Sequence, residues 1–414
     1  MIRSMFSAIS GLRAHRTMLD VVGNNISNTS TAGFKSSATV FEDVLSETLQ
    51  GAGAGAEDGT TGGTNPSQIG LGVSVARIST NFSQGALQNT GRELDFAIRG
   101  DGFFAVESAG ARTYTRAGSM SLDADGRLVS ATGGLIQGWS ADGTGQINTN
   151  VGVAGITVPV GTTAAPNATT DVALSGNLPA DATIGDTFVT GVEIYNSLGD
   201  TEMVALTFEN TAANEWTVTG TYGDPATAVT LTDNVVTFDA TTGAVATPAD
   251  FAIDLAAGEI PDFGAVTISL DGDSGAVTQF GGLSTLSVAS QDGFGAGILQ
   301  SISMSQEGVL VGSFSNGINR PLAQLAIANF TNPEGLEKSG GSMFSATINS
   351  GDPQLAAAGN GGRGLIASGT LEMSNVDLAQ EFVTLITAQR GFQANSRVVT
   401  SSDEVLSDIV NLKR

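Results

Sequence analysis

The chain has 414 residues, no Cys, 55 Gly, only 14% charged residues and a formal net charge of −24. Length alone calls for about two to four domains with a sizeable buried interior. Without Cys there can be no disulfide framework, thiolate metal site or cysteine nucleophile, and so negative a field excludes binding to nucleic-acid phosphates.

The opening "MIRSMFSAISGLRAHRTMLD" is broken by Arg13, His15 and Arg16 and lacks a small-residue cleavage site, so it predicts no cleaved signal peptide. It reads instead as a helix. Met5, Leu12, Leu19 and Ile26 recur every seven residues, and Ile2 and Ile9 fill the intervening spacing, giving one narrow apolar stripe interrupted at Arg16 and Gly23. The run "NNISNTSTAGFK", residues 24–35, stops that helix because Asn, Ser and Thr compete for backbone hydrogen bonds and Gly33 permits a turn. Residues 51–67, "GAGAGAEDGTTGGTNPS", read as a flexible connector. Short alternating runs follow, "LDFAIRGDGFFAV" and "TYTRAGSMSLDADGRLV", the second with Asp125 and Gly126 placed for a hairpin turn.

From 146 to 284, Thr, Val and Ala alternate between Gly-rich turns, the pattern of a β sandwich or barrel. No Lys or Arg lies between Arg127 and Arg320 while acids continue, so this segment reads as a solvated, repelling surface. "SISMSQEGVLVGSFSNG" and "PLAQLAIANFTN" then return to the earlier β style. At the end, Ser374 and Asp377 fit a capping box, with Met373 and Leu378 as its staple, and predict a helix from about residue 375. Leu378, Leu385, Phe392, Val399 and Leu406 hold one heptad position; the companion positions are Phe382, Gln389, Ser396, Asp403 and Val410. Such a helix would run about 55 Å, too long for a small domain to wrap, and Gly391 costs it about 1 kcal/mol against Ala.

The predicted fold is α+β, mainly β, with long terminal helices forming an axial coiled-coil-like domain and β-rich domains nested between them. The expected boundaries are 1–30 and 371–414 for the axial helices, 31–70 and 350–370 for connecting segments, 71–145 and 285–349 for an inner discontinuous β domain, and 146–284 for an outer inserted one. No run reaches membrane-spanning length.

Catalytic and metal chemistry finds no purchase. Asp123 with Asp125, and Asp271 with Asp273, do not complete a calcium loop and read as hairpin turns. His15 is the sole histidine and is expected on a solvated helix face, so neither a triad nor a histidine zinc site can be assembled. Nothing nominates one pair of the many carboxylates for acid/base work. No cofactor, metal or catalytic residue is predicted. Two terminal stripes that one small domain cannot cover can be buried against each other and against neighbouring copies; an intramolecular hairpin is the alternative, and polar Gln389, Ser396 and Asp403 fit a helix facing water.

The stretches "SAISGLRAHRTMLDVVGNNISNTSTAGFKSS", "ELDFAIRGDGFFAV", "YTRAGSMSLDADGRLVSATGGLIQGW" and "SNVDLAQEFVTLITAQRGFQANSRVVTSSDEVLSDIV" together resemble the bacterial flagellar rod and hook family. Length and the inserted segment resemble its hook-forming branch rather than the shorter distal-rod branch. The resemblance implies a non-enzymatic subunit, exported unfolded by the flagellar secretion apparatus, that polymerises outside the cell into a curved tube joining rod to filament and passing torque as a universal joint. Implied partners are copies of itself, the distal rod protein, and the hook cap and hook–filament junction proteins. Asn24, Asn25, Asn28, Gly33, Phe34 and Lys35 match the family's connecting motif. Rival readings are a secreted β-rich adhesin and a polysaccharide-cleaving enzyme.

Overall fold

The computed structural model describes all residues except 1, 55–61, 144, 159–160, 162, 224, 248–251, 256–259, 273–274 and 412–414. Helix α1 spans Ile2–Ser27 and helix α2 spans Leu378–Asn411; the regular elements described between them are β-strands, apart from one 3-10 turn at Pro333–Gly335. The chain divides into two compact units: Met1–Val158 with Ile302–Val311 and Pro321–Arg414, and Pro159–Ser301 with Gly312–Arg320.

In the first unit, α1 and α2 pack on each other, and α1 also packs on an antiparallel pair, Ser37–Asp43 with Val73–Thr80. That pair continues as Ser46–Gln50 against Ser67–Gly70 and closes further with Gly53 and Thr64 exchanging backbone hydrogen bonds at 3.0 and 2.9 Å. The flanks of the Gly-rich segment are thus paired at Gly53 with Thr64 and at Gln50 with Ser67, and its centre, 55–61, lies outside the described residues. The remaining sheet runs from Phe103–Ser108 to Ala111–Thr115 on one side and Leu135–Ser140 on the other, each antiparallel. Strands Phe96–Arg99 and Leu87–Asn89 pair with Leu365–Ser368 and Thr370–Glu372, which carries the chain from the sheet to the start of α2. The core here is aromatic. Phe103 meets Phe82 at 5.4 Å and Phe330 at 5.9 Å, and Tyr114 meets Phe330 at 4.8 Å, all edge-to-face as ring quadrupoles favour.

The second unit has two sheets over one apolar core. Asp171–Pro179 pairs in parallel with Val266–Ser269 and Gly275–Phe280, and antiparallel with Ser287–Gln291. Thr187–Tyr195, Thr201–Ala212 and Glu215–Tyr222 form a meander. Strict alternation puts Val204, Leu206 and Phe208 inward, to pack with Trp216, Val172, Leu174, Ile268 and Val277. This unit begins at 159 rather than 146 because Ile156 and Val158 are buried in the first unit, where Gly155 pairs with Gln137. It extends past 284 because Ser287–Gln291 completes its sheet.

Candidate functional site at the junction of the two chain ends

The helices run antiparallel. Gly11 faces Asn395, His15 faces Gly391, and Asn25 Nδ2 donates to Glu381 Oε1 at 2.9 Å, so numbers rise on one helix as they fall on the other. Approach is close because small residues meet large ones. A Cβ on Gly11 would lie 2.7 Å from Asn395 Nδ2, and one on Gly391 would lie 2.5 Å from His15 Cε1 and Nε2. His15 is therefore not on a solvated face. Its ring is wedged between Gly391 and the edge of Phe41, 5.6 Å away, and its buried Nδ1 has no hydrogen-bond partner among the described residues.

Ala8, Gly11, Ala14, Val22 and Asn25 on α1, and Ala388 and Ser402 on α2, are buried. The bulky residues of the heptad pattern flank this spine. Met5, Ile9, Leu12, Leu19, Ile26, Leu385, Val399 and Leu406 are half-buried, Leu378, Phe382 and Phe392 are exposed, and the side chains of Ile2 and Val410 lie outside those described. Gln389 and Asp403 are exposed and Ser396 is half-buried. Leu378, Phe382 and Ile386, four residues apart and 42, 50 and 47% exposed, make a continuous apolar ridge along one side of α2.

The cap of α2 is Asp377, whose Oδ1 accepts from the backbone N–H groups of Ala379 and Gln380 at 2.9 and 3.2 Å. Ser374 accepts only from Val376, so the helix starts at Leu378 and the box expected from 374 does not form. The preceding residues are held elsewhere. Met373 N–H bonds Ala86 O at 2.9 Å, and the Asn375 amide accepts from Ser36 N at 2.8 Å and donates to Asn81 O and Ser83 O at 2.9 and 3.1 Å.

Around this point the connecting motif assembles. Asn25, 1% exposed, mimics a strand partner for Ser37: Oδ1 accepts its N–H at 3.0 Å and Nδ2 donates to its carbonyl at 2.8 Å. Asn24 O accepts from Asn28 Nδ2 at 2.9 Å, and Asn28 Oδ1 accepts from the Thr31 hydroxyl at 3.1 Å, closing the turn after α1. Gly33 has φ +69° and lies so near Ala117 that a Cβ would fall 2.4 Å from its nitrogen; its N–H donates to Glu372 O at 2.7 Å. The Phe34 ring carries Lys338 Nζ 5.1 Å over its face, and Lys338 also donates to Lys35 O and to Ser37 Oγ.

Lys35 ends the motif inside the protein. Its side chain and that of Glu372 are both 0% exposed and meet at 2.6 Å; Lys35 also donates to Ser83 O at 2.7 Å. Glu372 Oε1 accepts in addition from Gly85 N at 2.9 Å, and Oε2 faces Arg116 Nη1 at 3.4 Å. Arg116 donates to Gly100 O and lies 5.2 Å over Phe103. Burial lowers the pKa of Lys35 and of Arg116, opposed in each case by Glu372. Burial likewise raises that of Glu381, opposed by its bond from Asn25. Glu372, Arg116, Asn375 and Glu381 were not singled out from the sequence; the available signal was that Glu372 is the one charge between Arg363 and Asp377.

Beside the motif, Asn28, Phe34, Ala117, Ala131, Lys338 and Met343 line a cavity of about 550 Å³. Asp123 accepts from the backbone of Asp125 and Arg127, and the Arg127 guanidinium sits 2.8 Å from both carboxylates, so these acids build a turn around an arginine. Asp271 pairs with Ala276 in an antiparallel ladder, and Asp273 lies outside the described residues. Among the described residues no group of three or more His, Asp or Glu could hold a metal ion, and no helix is long and apolar enough to cross a membrane.

Four stretches match family models: residues 5–35, flagella basal body rod protein; 97–176, flagellar hook protein FlgE/F/G D1 domain; 166–294, flagellar basal body protein FlaE D2 domain; and 367–412, flagellar basal body rod FlgEFG protein C-terminal. The chain is 37% identical over 445 residues to the flagellar hook protein FlgE of Borreliella burgdorferi, covering 100% of both. It is 35% identical over 426 residues to that of Salmonella typhimurium, covering 99% of this chain and 100% of the relative. With the flagellar basal-body rod protein FlgG of Bacillus subtilis it shares 32% identity over 415 residues and 100% of both chains. The crystal structure of Helicobacter pylori flagellar hook protein FlgE2 superposes with a TM-score of 0.55 at 18% identity, covering 69% of this chain and 100% of that one, a likeness of fold.

Proposed function

The chain belongs to the flagellar hook and basal-body rod family, and we propose that it is the structural subunit that polymerises into the hook, the bent tube through which the motor turns the filament. The observation that carries the mechanical part is the uncovered ridge Leu378–Phe382–Ile386 on a helix whose other side is occupied by α1. Apolar area of that kind drives association. A contact between one copy's ridge and a different surface of the next does not close on itself and yields an open helical polymer.

In that polymer the heptad residues from Met5 to Ile26 and from Leu378 to Leu406 supply the axial contacts, and the connecting motif ties each helix pair to its β scaffold so that torque passes between them. The second unit, with Arg320 as its sole base, meets its neighbours through a more polar and mutually repelling surface, the kind that slides between packings as a tube bends. Assembly outside the cell and end contacts with distal rod, cap and junction proteins complete the reading. Electron microscopy of purified protein under polymerising conditions tests it. Curved, pliant tubes are expected; no polymer overturns the proposal. Straight, rigid tubes would favour a distal-rod subunit, the second reading that the full-length likeness to the Bacillus subtilis rod protein supports.

A further inference from the structure

We infer that Glu372 is a positioning residue that makes the two ends of the chain order in a single step: it is the counter-charge without which the connecting motif cannot close. Three segments distant in sequence converge on it. Gly33 N–H binds its carbonyl, Gly85 N–H and Lys35 bind its Oε1, and Arg116 faces its Oε2. Lys35 and Glu372 are separated by 337 positions, and both side chains are fully buried.

The sum of charges gives the device its direction. Lys35, Arg116 and Glu372 together carry one net positive charge in the interior, and removing Glu372 leaves two. An unpartnered buried ammonium is unstable there, so Lys35 must leave or lose its proton. Departure of Lys35 breaks its bond to Ser83 O and loosens Gly33 beside Ala117, while loss of the proton leaves a neutral N–H on Ser83 O but adds the free energy of deprotonation to the closed form, so both outcomes disfavour closure. The segment holding Asn25, Ser37 and the end of α1 therefore stays open until strand Thr370–Glu372 has docked on Leu87–Asn89. Docking that strand also sets Met373 and Asn375 and hence the start of α2. A chain delivered end to end would keep its first helix uncommitted until its last segment arrives.

The consequence for assembly rests on the polymer reading; the ordering itself does not. The test is hydrogen exchange on the full-length protein in its assembled form, with strand Thr201–Ala212 as internal reference, and with the critical concentration for assembly as the second readout. Glu372→Gln is expected to lower protection of segments 24–37, 81–86 and 370–377 by a common factor of roughly a hundred or more, and to raise the critical concentration comparably. Lys35→Met/Glu372→Gln restores the net buried charge to that of the native cluster without remaking the bond to Ser83 O, and is expected to recover most of both losses, all but the share which that one hydrogen bond carries. If Glu372→Gln does not assemble at all, recovery by the double variant supports the inference and its failure to recover overturns it. Native protection of 24–37 in Glu372→Gln overturns it too, while normal tubes from that variant would leave the hook assignment standing.

Discussion

Gly391→Ala sets two local effects against each other. In an exposed helix interior the change stabilises by about 1 kcal/mol through helix propensity. Here the new methyl would lie 2.5 Å from His15 Cε1 and Nε2 and 3.0 Å from Cδ2, where carbon contacts belong at about 3.5 to 4.0 Å. The ring cannot simply retreat, because Phe41 stands edge-on to it at 5.6 Å. Overpacking of this kind costs about 1 to 3 kcal/mol, and an overlap of roughly 1 Å with three ring atoms belongs at the upper end. The net expectation is a loss of about 2 kcal/mol, or roughly thirtyfold in the equilibrium. With His15→Ala in the background the obstruction is gone, and Gly391→Ala should become stabilising by about 1 kcal/mol, giving a coupling near 3 kcal/mol in the double-mutant cycle. Hydrogen exchange of α1 and α2 amides across the four proteins reads this. Equal effects of Gly391→Ala in both backgrounds would show that the His15–Gly391 fit does not set the helix register.

Phe382→Ala removes about half of the roughly 3 kcal/mol that a fully buried phenylalanine contributes, since about half of it is already covered within the chain; the critical concentration for assembly should rise about tenfold. Phe382→Asp should block assembly in sedimentation while the melting of the second unit is unchanged. Glu381→Gln should raise stability at neutral pH. Burial raises the pKa of Glu381, so the folded state binds its proton more tightly than the unfolded one, and the destabilisation it causes grows as pH rises through the interval between the two values. Thermal melts of variant and parent should converge below about pH 4.

Periodicity and turn chemistry carried the gross organisation: two terminal helices, a hairpin at Asp125 and Gly126, and an alternating, base-free insertion. Helix phase is less accessible, because an apolar stripe reports which residues gain from burial and not which ones let two backbones approach. Gly11, Ala388 and Gly391 have little hydrophobic signal, yet they are where α2 closes on α1. Helix α2 starts at Leu378, later than its capping sequence predicts, for a related reason. Ser374 and Asp377 are both competent caps, and the choice is made by Asn375 and Met373, whose bonds to residues 36, 81, 83 and 86 keep the chain extended for three more positions. Likewise, nothing local distinguishes Lys35 from a solvated lysine after a turn; its partner is 337 residues away.

Those same small residues explain how one helix can serve two kinds of contact. Axis separation follows the side chains at the crossing, so a seam built on Leu and Phe would hold α1 and α2 further apart and consume the surface that neighbouring copies need. With Gly11, His15, Gly391 and Asn395 interlocked instead, register within the chain is fixed by shape, at little cost in apolar area. Leu378, Phe382 and Ile386 are left facing outward. In the proposed polymer the intramolecular seam can then stay rigid while the outward ridge exchanges partners. A tube that bends without its subunits coming apart requires that the two sets of contacts be carried by different residues.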